Sequence, residues 1–236
     1  MVLPEFKTVP YYKIKLPISG RDVSFRPYYV GEEISFMTHI ESQDKKNLTN
    51  SLIDTVKACT KEKDIFDDKL SLIDFSYLLV NIRAKSKGEK IELEKTCSKC
   101  ESTEPFDFDV LESLVISNKE SLKCVVDIHE TLTVEIGVLP FSYFIDCTDI
   151  ENENDLKFFT LASSLRKIID NGNIYSKFET QDAIDKLLKK LSIKQLKSLV
   201  DKLNDLATMK SVIKCECPKC GHKDEIEMDN ILSFLF

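Results

Sequence analysis

Two Cys-x-x-Cys motifs constrain this sequence more strongly than any other feature. The first occupies residues 97–100 (CSKC) and the second occupies residues 217–220 (CPKC). Each motif, called a knuckle below, offers two thiolates from one tight turn, whereas a structural zinc site takes four ligands in a tetrahedron. Neither knuckle completes such a site alone, so the sequence predicts that the two knuckles meet at one metal ion.

The segments that follow the two knuckles repeat one apolar pattern. Counted from the second cysteine of each knuckle, the first apolar positions recur every second residue, which is strand spacing. The matched residues are Phe106 and Ile226, Phe108 and Met228, Asp109 and Asp229, Leu111 and Ile231, and Leu114 and Phe234. Each segment is therefore predicted to form a strand, a knuckle, a strand and a short apolar helical turn. Together they predict a zinc-ribbon-like unit that holds one structural zinc ion through Cys97, Cys100, Cys217 and Cys220.

Two other interpretations of the knuckles stay open. The cysteines can be reduced thiols in tight turns without metal, or separate sites can use Cys215 or His222 as substitute ligands. Gly221 suits the positive φ that such a turn often needs, and Glu101 occupies the equivalent place in the first knuckle. Four thiolates leave no open coordination position, so we expect the site to be structural and not catalytic.

The remaining sequence mixes strand and helix signals, which predicts an α+β fold. An N-terminal β-hairpin is expected because Tyr12, Ile14 and Leu16 alternate with polar residues, and Val23 and Phe25 alternate again after a turn. A second hairpin is expected over residues 125–137. Helices are expected at about 30–40, 47–59, 155–170, 181–190 and 193–207, with a further helix that begins near Ser71.

This pattern divides the chain into four segments. They are a hairpin with helices in 1–90, the first knuckle with a hairpin in 91–150, a helical segment in 151–210, and the second knuckle, packed on the first, in 211–236. No flexible linker composition separates the segments, so they also fit one compact domain.

Composition and charge argue against several classes of protein. With 40 acidic residues against 33 Lys and Arg, the net charge of −7 argues against a nucleic-acid binder. No apolar run approaches the roughly 20 residues of a spanning helix, and no signal pattern begins the chain, so we expect no membrane contact and a cytosol-like compartment. There, the eight cysteines serve as metal ligands or buried thiols and not as disulfides. No phosphate-binding loop or metalloprotease motif is present, so we expect no enzyme and no small-molecule substrate.

The last six residues form the most apolar stretch near a terminus. Its large apolar residues are Ile231, Leu232, Phe234, Leu235 and Phe236. They are expected either to pack on the ribbon, as Leu111 and Leu114 do in the matching segment, or to form a patch that binds a partner protein.

Four stretches carry a resemblance to a known family. They are "KLPISGRDVSFRPYYVGEE" (residues 15–33), "LLVNIRAKSKGE" (78–89), the mid-chain "CSKC" and the late "CPKCG". With these stretches the chain resembles the T4-type bacteriophage baseplate protein family, whose members act in assembling the central hub of the tail baseplate. The resemblance covers essentially the whole chain and supplies no catalytic residues.

The resemblance implies a phage late protein that is made in the host bacterial cytoplasm and joins or chaperones virion tail assembly. Its expected partners are other baseplate hub proteins, and its place is the host cytoplasm or the tail baseplate of the virion. A permanent hub subunit and a transient assembly factor both fit. A zinc-ribbon regulator that binds nucleic acid is the alternative from another class, although acidic residues match the lysines near both knuckles.

Overall fold

The structure is a computed structural model that describes residues 9–42 and 44–228. These residues form two compact units. The first unit contains residues 9–42, 44–66, 76–114 and 211–228, and the second contains residues 67–75 and 115–210. Both knuckles belong to the first unit, and most of the second unit is inserted between them in the sequence. The four-segment division drawn from the sequence stays a prediction.

The described residues contain both helices and strands, which confirms the α+β class. In chain order the elements are β1 (Tyr12–Lys15), β2 (Asp22–Phe25), α1 (Val30–Glu41), α2 (Lys45–Cys59), a 3₁₀ turn (Lys63–Ile65), α3 (Leu72–Lys87), β3 (Lys90–Thr96), β4 (Thr103–Asp109), α4 (Val110–Ser113), β5 (Leu114–Ser117), β6 (Lys123–His129), β7 (Leu132–Gly137), α5 (Tyr143–Asp146), α6 (Glu153–Ser164), β8 (Leu165–Asp170), β9 (Asn173–Tyr175), α7 (Thr180–Lys186), a second 3₁₀ turn (Leu188–Lys190), α8 (Ile193–Asn204), β10 (Thr208–Glu216) and β11 (Lys223–Met228). Within this part of the chain, no helix combines the length and apolarity needed to cross a membrane.

The first unit begins with the predicted hairpin. β1 and β2 are antiparallel, with Tyr12 opposite Phe25 and Ile14 opposite Val23. α2 begins where the Asp44 side chain accepts a hydrogen bond from the Asn47 N–H at 3.0 Å, which satisfies one of the free donors of the first turn. The apolar faces of the hairpin and of the first two helices are buried, at Leu16, Val23, Phe25, Phe36, Leu52, Ile53 and Val56.

The second unit is built on a four-stranded antiparallel sheet in the order β6-β7-β8-β9. The hairpin predicted over residues 125–137 is its first pair, with Val126 opposite Val134. Strand residues share an apolar core with α6, α7 and α8 that includes Ile136, Leu161 and Leu199, each at most 4% exposed. The Ser192–Gln195 capping box starts α8, because Ser192 accepts from the Gln195 N–H and the Gln195 side chain accepts from the Ser192 N–H.

One helix prediction in this unit was wrong. The helix expected over 155–170 ends at Ser164, and Leu165 begins β8, which pairs with β9 through Ile169 and Ile174. Between these strands, Asn171 and Gly172 have φ values of 48° and 80°. Positive φ at both central residues is the geometry of a type I′ hairpin turn, so this Asn-Gly pair closes a hairpin and does not merely end a helix.

Candidate metal centre

Two β-hairpins of the first unit carry the knuckles, and they share one register. Next to the knuckle, Thr96 lies opposite Thr103 in the first hairpin, and Glu216 lies opposite Lys223 in the second. The two pairs differ by 120 positions in both strands (216 − 96 and 223 − 103). The repeat predicted from the apolar pattern is therefore present in the strand pairing.

An apolar cluster fixes the bases of both hairpins. Its buried members are Val80, Phe108, Val110 and Ile213, and the partly buried residues packed on it are Ile91, Leu93, Phe106, Leu111, Leu114, Ile226 and Met228. Fully burying one such side chain stabilises the fold by about 1.5–3 kcal/mol, so this cluster is a substantial anchor. A short chain of hydrogen bonds leads to Val110 of this cluster. The buried Ser211 hydroxyl donates to the Ser113 hydroxyl at 2.7 Å, and the Ser113 hydroxyl donates to the Val110 carbonyl.

The two knuckle turns have the same backbone hydrogen bonds. In the first, the Cys97 N–H donates to the Ser102 carbonyl at 2.9 Å and the Glu101 N–H donates to the Cys97 carbonyl at 3.0 Å. The residues 120 positions later repeat both bonds at 2.8 Å. Glu101 has φ 57° and Gly221 has φ 67°, so a residue with a side chain occupies a conformation that favours glycine.

The turns bring four sulfur atoms together. The Cys97 Sγ lies 3.6 Å from the Cys220 Sγ, and the Cys100 Sγ lies 3.6 Å from the Cys217 Sγ. In both contacts, the first cysteine of one knuckle meets the second cysteine of the other knuckle. All four Sγ atoms lie within 4.8 Å of one another, which confirms the predicted clustering of the two knuckles.

This donor set fits a tetrahedral metal ion. Four thiolates placed 2.3 Å from zinc have sulfur–sulfur edges of about 3.8 Å, close to the 3.6 Å of the two contacts between the knuckles. The Lys99 N–H also donates to the Cys97 Sγ at 3.4 Å, the kind of backbone support that orients metal-bound sulfur. Soft, all-thiolate ligation suits zinc or iron better than magnesium or calcium.

Hydrogen bonds favour the thiolate form of two of these cysteines. The Ser102 hydroxyl lies 3.1 Å from the Cys100 Sγ and 3.6 Å from the Cys217 Sγ. Its hydrogen bond and that of the Cys220 backbone N–H lower the pKa of Cys217 to about 6. The Ser102 side chain and backbone also lower the pKa of Cys100. Because thiolate is the form that binds metal, these contacts prepare the site for a cation.

Cys220 shows the opposite shift. The His222 N–H lowers its pKa, but burial and hydrogen bonds with Cys100, Cys97 and Cys217 raise it to about 12. The pKa values of Cys100 and Cys217 are lowered and that of Cys220 is raised, so these three thiols do not ionise together. Binding of a cation displaces the remaining protons.

The two candidate substitute ligands lie outside the four-sulfur cluster. The Cys215 Sγ lies 3.4 Å from the Lys95 Nζ and donates to the Asp224 carbonyl at 3.6 Å. The His222 carbonyl accepts from the Cys217 N–H within the second knuckle. The sequence placed both residues near the site, and the structure gives them contacts beside the cluster.

Ion pairs also join the two hairpins. The Lys95 Nζ lies 2.6 Å from an Asp224 carboxylate oxygen, and the Lys219 Nζ lies 2.5 Å from a Glu104 oxygen. Glu104 and Asp224 are themselves 120 positions apart in the repeat. Ion pairs that remain open to solvent contribute only about 0–1 kcal/mol each, so these pairs align the two hairpins more than they hold them together.

The sequence pattern does not predict the role of Ser102, and the predicted partner-binding residues lie outside the described part of the chain. The Ser102 hydroxyl contacts two of the sulfurs. In the sequence, Ser102 is marked only by its position in the repeat, which is equivalent to that of His222. The predicted partner-binding residues, Ile231, Leu232, Phe234, Leu235 and Phe236, lie outside the described residues.

Comparison with known proteins identifies the family. Neither the search of curated proteins nor the search of solved structures gave a match. The family model described as "T4 bacteriophage base plate protein" matches residues 9–236, which include both knuckles and nearly the whole chain. The chain therefore belongs to the family of T4 bacteriophage base plate proteins.

Proposed function

We propose that the protein acts in the baseplate hub of a phage tail, as a hub subunit or as a factor that assembles the hub, by binding other hub proteins. Membership of the base plate family is the observation that carries this proposal. The protein would be made in the cytoplasm of the host bacterium late in infection and would meet its partners there. It needs no catalytic residue for this work.

The four-cysteine cluster would hold one structural zinc ion. Its ligands, Cys97, Cys100, Cys217 and Cys220, come from two hairpins whose sulfurs meet in two contacts of 3.6 Å. Zinc would supply a closed tetrahedral link between the middle and the late part of the chain and would leave no position for a substrate. The link would make the first unit rigid, which suits a protein that offers a fixed surface to partners.

The nucleic-acid alternative has less support. Two lysines of the hairpins, Lys95 and Lys219, are paired with Asp224 and Glu104. A paired lysine must lose its partner before it neutralises a phosphate, and the net charge of −7 adds a general repulsion. Salt-sensitive binding of labelled DNA at low protein concentration would favour the alternative over the hub.

Elemental analysis of the purified full-length protein tests the metal. We expect one zinc ion per chain, and we expect Cys217→Ser to reduce this content. Cys124→Ser is the matched control, because Cys124 lies in the second unit, apart from the cluster. Absence of zinc from the unsubstituted protein, or equal loss in both variants, contradicts the proposed metal.

Quantitative mass spectrometry of purified tails and of infected-cell lysate tests the hub. Several copies per tail support a hub subunit, and abundance in hub intermediates with none in finished tails supports an assembly factor. Absence from both refutes the hub proposal.

We propose that a set of large apolar residues contacts the hub partner. They are Ile231, Leu232, Phe234, Leu235 and Phe236. Leu235→Asp is expected to reduce the recovery of hub proteins with the tagged chain while the zinc content stays unchanged. Equal recovery with the substituted and unsubstituted chains contradicts this assignment.

A further inference from the structure

We propose that the cluster is also a redox site, in which Cys100 pairs with Cys217 and Cys97 pairs with Cys220 to form two disulfides between the knuckles when the protein meets an oxidant such as hydrogen peroxide. The covalent links would then take over from the metal as the connection between the two hairpins. This inference rests on the proposed function for its setting, because a tail component leaves the reducing cytoplasm for an oxidising exterior.

The geometry already selects the partners. Both proposed pairs have their sulfurs at 3.6 Å, whereas a disulfide needs about 2.05 Å, so each pair must close by only about 1.5 Å. The apolar cluster and the ion pairs Lys95–Asp224 and Lys219–Glu104 join the two hairpins at this distance. The repeat gives both pairs the same arrangement, first cysteine to second cysteine.

Exposure decides which pair reacts first. Cys100 is exposed, Cys217 and Cys220 are half-buried, and Cys97 is only 7% exposed. An oxidant in solution therefore reaches Cys100 first. The Ser102 hydroxyl contacts both sulfurs of the Cys100–Cys217 pair, so this pair is both the more accessible and the better supplied with hydrogen bonds.

The reaction balances with peroxide as the only oxidant. The Cys100 thiolate attacks one peroxide oxygen, so that an S–O bond forms, the O–O bond breaks and hydroxide leaves, giving a sulfenic acid. The Cys217 thiolate then attacks that sulfur, so that the S–S bond forms, the S–O bond breaks and a second hydroxide leaves. Two thiolates lose two electrons in total, and one peroxide gains them.

A link between the knuckles would stabilise the fold more than a link within one knuckle. The proposed pairs are separated by 117 and 123 positions, whereas the two cysteines of one knuckle are separated by 3 (100 − 97). In the chain-entropy model, a disulfide that closes a longer loop removes more freedom from the unfolded chain. A link within one knuckle would also leave the hairpins unconnected.

Trypsin makes the pairing directly readable. Lysines at 95, 99, 119, 214, 219 and 223 place the four cysteines in four separate peptides, which are residues 96–99, 100–119, 215–219 and 220–223. The full-length reduced protein is assayed for zinc, freed of metal with a chelator, treated with stoichiometric hydrogen peroxide, alkylated and digested without reductant. Mass spectrometry should then find 100–119 linked to 215–219, and 96–99 linked to 220–223.

The opposite pattern overturns the inference. Links of 96–99 with 100–119, and of 215–219 with 220–223, would show that oxidation stays within each knuckle. Because Cys215 shares a peptide with Cys217, two variants assign the sulfur: Cys215→Ser should keep the 100–119 link, and Cys217→Ser should abolish it. The reverse result also overturns the inference. The zinc assay on the same sample keeps the two proposals distinguishable, since the pairing is read on metal-free protein.

Discussion

The left-handed residue of each knuckle allows a matched pair of opposite substitutions. Glu101 and Gly221 occupy equivalent places, with φ values of 57° and 67°, and each donates its N–H to the first cysteine of its knuckle. We predict that Glu101→Gly stabilises the protein and that Gly221→Ala destabilises it. The backbone hydrogen bonds of both turns remain available in both variants.

The magnitude follows from two opposing terms. An L-residue in the left-handed region costs roughly 1–2 kcal/mol, and this cost disappears when glycine replaces Glu101. Glycine in turn gives the unfolded chain extra freedom that costs about 0.4–1 kcal/mol. The net gain is about 0.5–1 kcal/mol. For Gly221→Ala the signs reverse, and no clash is added, because the new Cβ would meet its nearest atom, the Glu216 Oε1, at 4.0 Å.

Thermal unfolding followed by circular dichroism measures both effects. One kcal/mol shifts the melting temperature by roughly 2–4 °C for a chain of 150–250 residues, so we expect shifts of about 1–4 °C in opposite directions. Glu92→Gly, at an exposed position inside β3, is the control and should destabilise, because a strand interior gives glycine no conformational advantage. If Glu101→Gly lowers the melting temperature as much as Glu92→Gly does, glycine does not relieve strain at position 101 and the prediction is wrong.

Three further predictions concern the link, the base of the ribbon and the pH dependence. Chelation of zinc or Cys217→Ser should speed hydrogen exchange at the knuckle ends of β10 and β11, while the strand residues packed in the apolar cluster and the sheet of the second unit stay protected, and unchanged exchange at the knuckle ends would contradict the metal link. Ser211→Ala removes the buried hydrogen bond to Ser113 and should lower the free energy of unfolding in urea by about 1 kcal/mol; an unchanged midpoint would argue against it. Burial raises the pKa of Glu32, but two hydrogen bonds from Arg26 at 2.9 and 2.7 Å, with a backbone N–H, lower it overall. Its stabilising contribution is therefore complete above the unfolded pKa, about 4.3, and is lost as the pH falls through the lower folded pKa. Glu32→Gln should flatten the fall in melting temperature in that acidic range, and an identical pH profile would contradict the assignment.

The candidate site was predictable because its signal is a repeat. A single Cys-x-x-Cys is ambiguous, but two of them with matching apolar positions specify two hairpins with the same pattern. The register confirms this, since Leu93 lies opposite Phe106 and Ile213 lies opposite Ile226. The sequence contains no signal for which sulfur meets which, because that depends on how the hairpins pack and not on spacing within either one.

The error at residues 155–170 has a physical cause. The apolar residues of this stretch fit a helix at its beginning and a strand at its end, and periodicity alone does not mark the change. The β-branched pair Ile168 and Ile169, followed by Asn171 and Gly172, was the local signal for a hairpin. Tertiary pairing with β7, where Val134 lies opposite Ile168, then determines the outcome.

The long insertion between the knuckles is compatible with a metal site because its entropic cost is small. Ribbons usually separate their knuckles by 15–20 residues, whereas Cys100 and Cys217 are 117 positions apart. Loop-closure entropy grows as the logarithm of length, so this increase costs only about 1.7 kcal/mol. Binding of a structural zinc ion would supply about 10–16 kcal/mol, and the apolar cluster of the hairpins would add to it. The second unit also folds within the loop on its own core, so much of the loop is already ordered. A split ribbon whose halves are separated in the sequence by a folded unit is therefore thermodynamically reasonable.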